Sequence, residues 1–400
     1  MVQKYKNIPN SFVNFNISPF IDKKDSIDPY TFSLNNVNRF PFDIGFLADQ
    51  LAIYSKAASK LPTFCKCYCL YTPQSYEQSS SEIVALFKAN IYDGEVLLDL
   101  SGGLGVDDWA FSAAFKKVIS IDNDAELNKL VRANFERLGL INISRLDADA
   151  YQFVVNTAEK FDVIYLDADR RPEAKRTFAL VDTEPNILKL KEKLFELTAT
   201  ILIKVSPMLD IHALIKELEQ VTEIWVISVK NEVKEILLKL SNTREIPIIH
   251  AFNLELNTDP QSFSEKYNSI NVDITYANDG LWFYEPSLSL IKANLATRYF
   301  KNNNIAQVAQ NSIYGVADME ISTFFGRKFK LYDSFEFSKS KLKTYLNNNC
   351  ITKANIAKRN FPMEVDEIRK AMDLKDGGDH YLFFTTDANN TKRVFHCIKP

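Results

Sequence analysis

Four hundred residues are more than one hydrophobic core usually holds, so two or three domains are expected. Apolar residues at 46% and charged residues at 25% exclude a disordered chain. A net charge of −3 excludes a surface that is basic all over, so any nucleic-acid contact must come from a local patch.

No apolar run has the length of a bilayer span or a signal-peptide core, and a soluble, cytoplasmic protein is expected, without a membrane partner. As far as about Phe40 the chain is rich in Asn, Ser, Pro and Lys, and part of it is expected to be loosely ordered. Ile44, Leu47, Leu51, Tyr54 and Ala58 recur three or four apart and predict a helix over 43–60, stopped at Leu61-Pro62. Cys65, Cys67 and Cys69 then alternate, which predicts a strand with three thiols on one face. A zinc site would want a fourth ligand and Cys-x-x-Cys spacing, so no metal is expected, and free thiols fit a reducing compartment. Residues 79–90 predict a second helix.

An alternating pattern follows. Short apolar runs predict strands over 95–100, 117–121, 143–146, 161–166, 200–205 and 223–229. Between them, helices are predicted over 107–115, 125–138, 151–158, 185–196 and 211–220, the second ended by Gly139 and the fourth opened by Pro185. Strands alternating with helices mean crossover units and a mostly parallel sheet, an α/β fold. After Ile246 the pattern changes: strands over 246–254 and 272–276, a joint at 281–286, a helix over 289–299, then mixed strands and short helices. A domain boundary is placed near Glu285.

Asp99 ends the first of these strands and is followed by Ser101, Gly102, Gly103 and Gly105. Glycines suit a sharp turn with a ligand lying on the backbone, and the next helix points its N-terminal amides at that ligand. A dinucleotide fingerprint would need Gly or Ala at position 108, where this chain has Asp108 beside Asp107. Two carboxylates there would repel a pyrophosphate but not S-adenosylmethionine (SAM), whose sulfonium and amino groups are positive. Asp99 is an acid at the strand end before the glycines, as the class I methyltransferase motif has it, and that likeness implies a place near the methionine end. Asp122 suits both ribose hydroxyls or a helix cap, and Asp149 with Ala150 suits the adenine or, again, a cap. The fourth strand ends in Asp167-Ala-Asp-Arg-Arg171. An acid at each of four consecutive strand ends is the pattern of a ligand site in an open α/β sheet.

With these residues the chain resembles a bacterial family of class I SAM-dependent methyltransferases that end in a THUMP-like domain. The likeness runs through Ala58-Ser-Lys-Leu-Pro62, Tyr76-Glu-Gln-Ser-Ser-Ser-Glu82, the loop from Asp99 to Asp107, and Leu166-Asp-Ala-Asp-Arg-Arg171 with Asp182-Thr-Glu-Pro185. It continues through Ala354-Asn-Ile-Ala-Lys-Arg-Asn-Phe-Pro362 and Lys375-Asp-Gly-Gly-Asp-His-Tyr-Leu-Phe383. The resemblance implies a Rossmann-like methyltransferase sheet with an N-terminal helical module and a smaller α+β C-terminal region. The expected boundaries are 1–75 for the helical module, 76–285 for the methyltransferase domain, 286–330 for a ferredoxin-like subdomain and 331–400 for the THUMP-like domain. It implies SAM as cofactor, held by Gln78, Ser79, Asp99, Ser101, Gly103, Gly105, Asp122, Asp149 and Ala150, and an RNA substrate, ribosomal or transfer RNA. The family has proline after the fourth-strand Asp, where this chain has Ala168.

Asp167 is the candidate to orient the nucleophile and Arg170 to hold the substrate. Arg170 and Arg171 suit phosphate or a stacked base, or else an ion pair with Asp169, Asp182 or Glu184. Lys353, Lys358, Arg359, Lys392 and Arg393 interleave with Phe361, Tyr381 and Phe383, which suits RNA or a solvated charged face; Lys358 and Arg359 are the substrate candidates with Arg171. His380 and His396 read as structural. Methylation at pyrimidine carbon 5 needs a cysteine nucleophile, and none follows the fourth strand or sits in Lys204-Val-Ser-Pro-Met208, so methylation at nitrogen or at a ribose 2′-oxygen is favoured. A catalytically weak or inactive SAM- and RNA-binding protein, and a methyltransferase for small molecules or proteins, are the other readings.

Overall fold

The computed structural model describes residues 7–167, 169–170, 180, 183–267 and 273–400, the side chains of Asp169, Arg170 and Glu184 excepted. The chain divides into two compact units: residues through Ile224 with Glu235–Glu245, and Trp225–Lys234 with Ile246–Pro400. Residues 246–285, which the expected boundaries give to the methyltransferase domain, fall in the second unit.

The first unit opens on helices. The described part of the first forty residues is packed rather than loose: short helices Asn10–Val13, Ser18–Ile21 and Pro29–Asn35 carry Phe12, Phe20 and Phe32 into one aromatic cluster with Phe15, Phe40, Phe42 and Phe46. Aromatic burial outweighs a polar composition here. The helix Ile44–Ala57 follows, with Leu47, Leu51 and Tyr54 on its buried face. Pro62 does not only stop a helix. It opens the next one, Pro62–Lys66, so Cys65 is helical and the predicted strand is absent. The physical reason is capping: proline at the first turn has the right φ, and Glu82 accepts from the amides of Thr63 and Phe64 at 2.7 and 3.1 Å. The three thiols are free, and among the described residues no group of three or more Cys, His, Asp or Glu could hold a metal ion. The predicted helix over 79–90 is Glu82–Ala89, and a further short helix that was not predicted, Pro73–Gln78, precedes it.

The sheet strands are β1 Gly94–Asp99, β2 Phe115–Asp122, β3 Ile143–Asp147 and β4 Val163–Asp167, then the short β5 Asp169–Arg170 and β6 Thr183–Glu184, which pair with each other. They continue as β7 Thr200–Val205, β8 Val221–Val229 and β9 Glu232–Ser241. The order β3-β2-β1-β4-β7 is parallel throughout, and β9 lies antiparallel on β7. This is an α/β fold with a Rossmann-like sheet. Its order reverses between β1 and β4, which opens a crevice at the carboxyl ends of those strands. From residue 95 to 229 the predicted strands and helices match within a few residues, except that Pro185 lies just before the helix Ile187–Leu197. β9 was not predicted. It forms a hairpin with β8 through Lys230 and Asn231, both at positive φ (50° and 62°), the conformation of a tight primed turn.

In the second unit β10 Ile248–Leu254 and β11 Gln261–Lys266 pair antiparallel. The remaining strands are β12 Trp282–Pro286, β13 Ala306–Ala309, β14 Ser312–Ala317, β15 Gly326–Glu336, β16 Asn355–Lys358, β17 His380–Thr386 and β18 Lys392–Ile398. They form one sheet in the order β13-β14-β12-β15-β18-β17-β16, antiparallel except for β16 on β17. One side of this sheet packs Phe283, Tyr314, Phe329, Phe383 and Phe395 together; the other meets the helices Lys339–Asn348 and Val365–Met372. Two expectations fail here. The helix over 289–299 is two short helices, Leu288–Lys292 and Ala296–Asn302, broken at Asn294 with φ 57°. Of the strand over 272–276, the described residues keep only a single bridge from Tyr276 to Gln307. No helix is long and apolar enough to cross a membrane.

Candidate functional site

The crevice at the β1–β4 reversal is a cavity of about 860 Å³, bordered by the carboxyl ends of β1, β2 and β4 and by the helix Pro73–Gln78. Gln78, Ser79, Asp99, Ser101, Gly103, Gly105, Asp122, Asp149, Ala150 and Asp167 all line it. Residues 78 and 167 are far apart in sequence; the sheet topology brings them to one edge.

The loop after β1 is tied down from three directions. The Ser101 amide and hydroxyl both donate to Asp99 Oδ1, at 2.7 and 2.9 Å, and the same hydroxyl accepts from the Asp167 amide at 2.6 Å. Asp122 Oδ2 accepts from the Gly103 amide at 2.9 Å, and its Oδ1 accepts from the Asp124 amide. Asp124, not Asp122, caps the helix Ala125–Arg137, whereas Asp149 does cap the helix Ala150–Asn156 by accepting from Gln152. From below, the buried Arg145 on β3 donates to Gly103 O at 2.8 Å and Ser120 Oγ at 2.7 Å, and lies 3.3 Å from Asp108 and 3.5 Å from Asp122.

The glycines divide their work. A Cβ on Gly102 would fall 1.7 Å from an Arg145 nitrogen, and on Gly105 (φ 80°) 2.7 Å from the Phe135 ring, so both are packing glycines. At Gly103 (φ 48°) a Cβ would meet only Ser101 O, at 3.7 Å. Its open side is the one available to a ligand.

Asp107 and Asp108 need a correction. They were expected to present charge to the ligand at the helix N-terminus. Asp108 is instead buried against Arg145, and Asp107, which lines the cavity, has its charge paired with Lys88 at 2.9 Å. Charge repulsion therefore does not separate SAM from a dinucleotide here. Burial and the neighbouring Asp108 push the Asp99 carboxyl well above the usual range, because two adjacent carboxyls in the interior do not both ionise.

Sequence reading missed a second group of charges at the β4–β7 end. Lys88, fully buried, donates to Ser80 Oγ (3.1 Å) and Tyr165 Oη (3.1 Å) and pairs with Asp107 and, at 3.2 Å, Glu235 on β9. Lys204 on β7 pairs with Asp167, and both line the cavity. Burial opposes the Lys204 charge, but Asp167, Glu235 and Asp107 outweigh it and raise its pKa. Burial likewise raises Glu235 against the pull of Lys88 and Lys204. The one available signal was a charged residue inside an apolar strand, as in Thr-Ile-Leu-Ile-Lys204-Val.

Ala168 and Arg171 lie outside the described residues, as does the Arg170 side chain. In the second unit Lys358 pairs with Glu364, and Arg359 donates to Ile313 O, pairs with Glu285 at 3.2 Å and lies 4.6 Å over the Tyr314 ring. Phe361 and Phe383 are core residues. His380 and His396 share a 2.9 Å hydrogen bond between β17 and β18, and Tyr345 adds a 2.8 Å bond to His396.

A family model described as THUMP domain-like matches residues 326–399. No curated protein matches the chain. Among solved structures, a "putative methyltransferase" from Porphyromonas gingivalis W83 superposes with a TM-score of 0.85 at 28% identity, over 96% of this chain and 97% of its own. An rRNA methylase from Streptococcus thermophilus (TM-score 0.31, 15% identity, 40% of this chain and 93% of its own) is too weakly alike to say anything of this one. The same holds for a methyltransferase from Geobacter sulfurreducens (0.33, 16%, 46% and 89%). Over nearly its whole length the chain is methyltransferase-like, and it ends in a THUMP-like domain.

Proposed function

We propose that this chain is a SAM-dependent methyltransferase acting on RNA, at a nitrogen or at a ribose 2′-oxygen. The observation that carries the reading is the cavity at the β1–β4 reversal, where Asp99, the open face of Gly103, Asp122 and Asp149 meet. These residues fit the cofactor by chemistry. Asp99 answers the methionine amino group, Asp122 keeps acceptor capacity for ribose hydroxyls beyond its two backbone bonds, and Asp149 with Ala150 borders the adenine end. Gln78 and Ser79 close the side opposite the sheet. SAM, when bound, supplies a methyl group activated on a sulfonium. The chain's own task is then to hold an acceptor atom about 3 Å from that methyl and to exclude water. Asp167 stands at the β4 end to orient the acceptor, and Arg170 and Arg171 follow it as the candidates for phosphate.

The RNA half of the reading rests on the THUMP-like domain, since THUMP domains in general bind RNA. The domain limits 1–75, 76–285, 286–330 and 331–400 belong to this proposal. So does a substrate role for Lys358 and Arg359, although Arg359 is tied to Glu285 and can meet RNA only through its exposed fraction.

Calorimetry with the full chain tests the cofactor: SAM and S-adenosylhomocysteine are expected to bind and NAD is not. Tight NAD binding without SAM binding overturns the assignment. Transfer of labelled methyl from SAM into RNA tests the substrate, and label entering only protein or small molecules removes RNA.

A further inference from the structure

The two lysines and two carboxylates at the β4–β7 end are more charge than cofactor binding requires. Lys88 and Glu235 are buried, and their partners Asp107 and Tyr165 join them to the wall of the cavity. Lys204 and Asp167 face the cavity itself. A bare carboxylate would suffice to orient an amine or a ring nitrogen. An ammonium beside it would hinder that chemistry, because a nitrogen acceptor gains positive charge as the methyl arrives. A hydroxyl is the opposite case. Its oxygen is a poor nucleophile until it loses its proton, and the negative charge that then develops is stabilised by a fixed cation.

We infer that the acceptor is a hydroxyl oxygen, a ribose 2′-hydroxyl of RNA, held against the Asp167–Lys204 ion pair where that pair faces the cavity. This rests on the methyltransferase reading above and narrows it. The hydroxyl proton passes to the Asp167 carboxylate as the O–CH₃ bond forms. The S–CH₃ bond breaks with its electron pair returning to sulfur, so sulfonium becomes thioether and one proton is left on the protein. Lys204 remains an ammonium throughout and donates to the acceptor oxygen. Lys88 and Glu235 are positioning residues: they set the charge around Lys204 from behind, without reaching the acceptor.

The experiment incubates the full chain with methyl-labelled SAM and RNA from cells lacking the gene, then digests the RNA to nucleosides and locates the label. Label on the ribose oxygen is expected. Label on a base nitrogen or carbon overturns the hydroxyl inference and leaves the methyltransferase reading standing. SAM binding without any label in RNA overturns this inference and the RNA substrate together, and absence of SAM binding overturns the parent reading. Lys204→Met should lower kcat about 100-fold or more, with the SAM dissociation constant unchanged, the scale of a lost proton-transfer or oxyanion partner. Lys204→Arg should recover part of it, since the cation is kept. Glu235→Gln should move the pH profile of kcat without abolishing activity. Should Lys204→Met fold, bind SAM and turn over at the wild-type rate, the ammonium has no part in the reaction.

Discussion

The two large sheets of this protein solve the burial problem with opposite materials. The centre of the second unit's sheet is aromatic: Phe283 lies 4.6 Å from Phe383 and 5.1 Å from Phe395, with Tyr314 and Phe329 against them. In the first unit the parallel sheet and the helices beside it bury Lys88, Asp99, Asp108, Arg145 and Glu235, with Asp107 half-buried against Lys88. Aromatic packing gains free energy directly from area and ring contacts. Buried charges gain little, because desolvation offsets most of the attraction, and they become costly when one partner is lost. The comparison teaches where the molecule gives up stability: beside the cavity, where its buried charges gather.

Six substitutions sharpen or break that contrast. The largest effect is expected from Lys88→Met, which strands Asp107 and Glu235 in the interior and should cost about 3–5 kcal/mol of unfolding free energy. Adding Asp107→Asn should return part of it, as a double-mutant cycle by chemical denaturation would read. Phe383→Ala should cost a similar ~3–5 kcal/mol through a cavity that no neutralising change repairs. If both losses respond alike to a second substitution, the contrast between the sheets is wrong. Next, Asp122→Ala should weaken SAM binding about ten- to a hundred-fold by calorimetry, the usual loss for a charged hydrogen bond. Gly103→Ala should cost only ~1 kcal/mol of stability, since its Cβ meets little, yet reduce SAM affinity by blocking the open face. Gly105→Ala should do the reverse, with a larger drop in melting temperature from the contact with Phe135.

The smallest effect concerns pH. Burial, and then His380, depress His396 to about 4 from the usual 6.5. The folded state therefore binds fewer protons than the unfolded one between these values. His396 contributes stability that is full above pH 6.5 and is lost as pH falls towards 4. Melting temperatures of wild type and His396→Gln across that window should converge as the pH drops; parallel curves would remove His396 as the cause.

The parallel strands were legible because strands buried on both faces read as apolar runs. The cavity edge was legible because acids end four of those runs. What escaped was settled by contacts distant in sequence. β9 reads as Glu-Val-Lys-Glu-Ile-Leu-Leu-Lys-Leu-Ser, a pattern that helix and strand share, and only its turn at Lys230-Asn231 decides between them. The cysteine run lost its alternation to a cap supplied by Glu82, nineteen positions after Thr63. Lys88 and Lys204 each stand alone among apolar neighbours, where a single charge reads as a solvated side chain, and Arg145 and Glu235 sit near Asp147 and Lys234, where they read as parts of an exposed charged face. Asp108 was read correctly as incompatible with the dinucleotide fingerprint, but the reason offered, repulsion, gives way to its pairing with Arg145.

That pairing has a consequence for how such sequences change over time. The Arg145 guanidinium occupies the volume that any side chain at position 102 would need, and its charge is what permits Asp108 to be buried. None of the three positions is free to drift alone. A lineage that acquires a side chain at 102 must first shorten 145, and one that shortens 145 leaves an unpaired acid at 108. Substitutions at 102, 108 and 145 are therefore expected to arrive together or not at all, although the residues lie on three different elements of the chain.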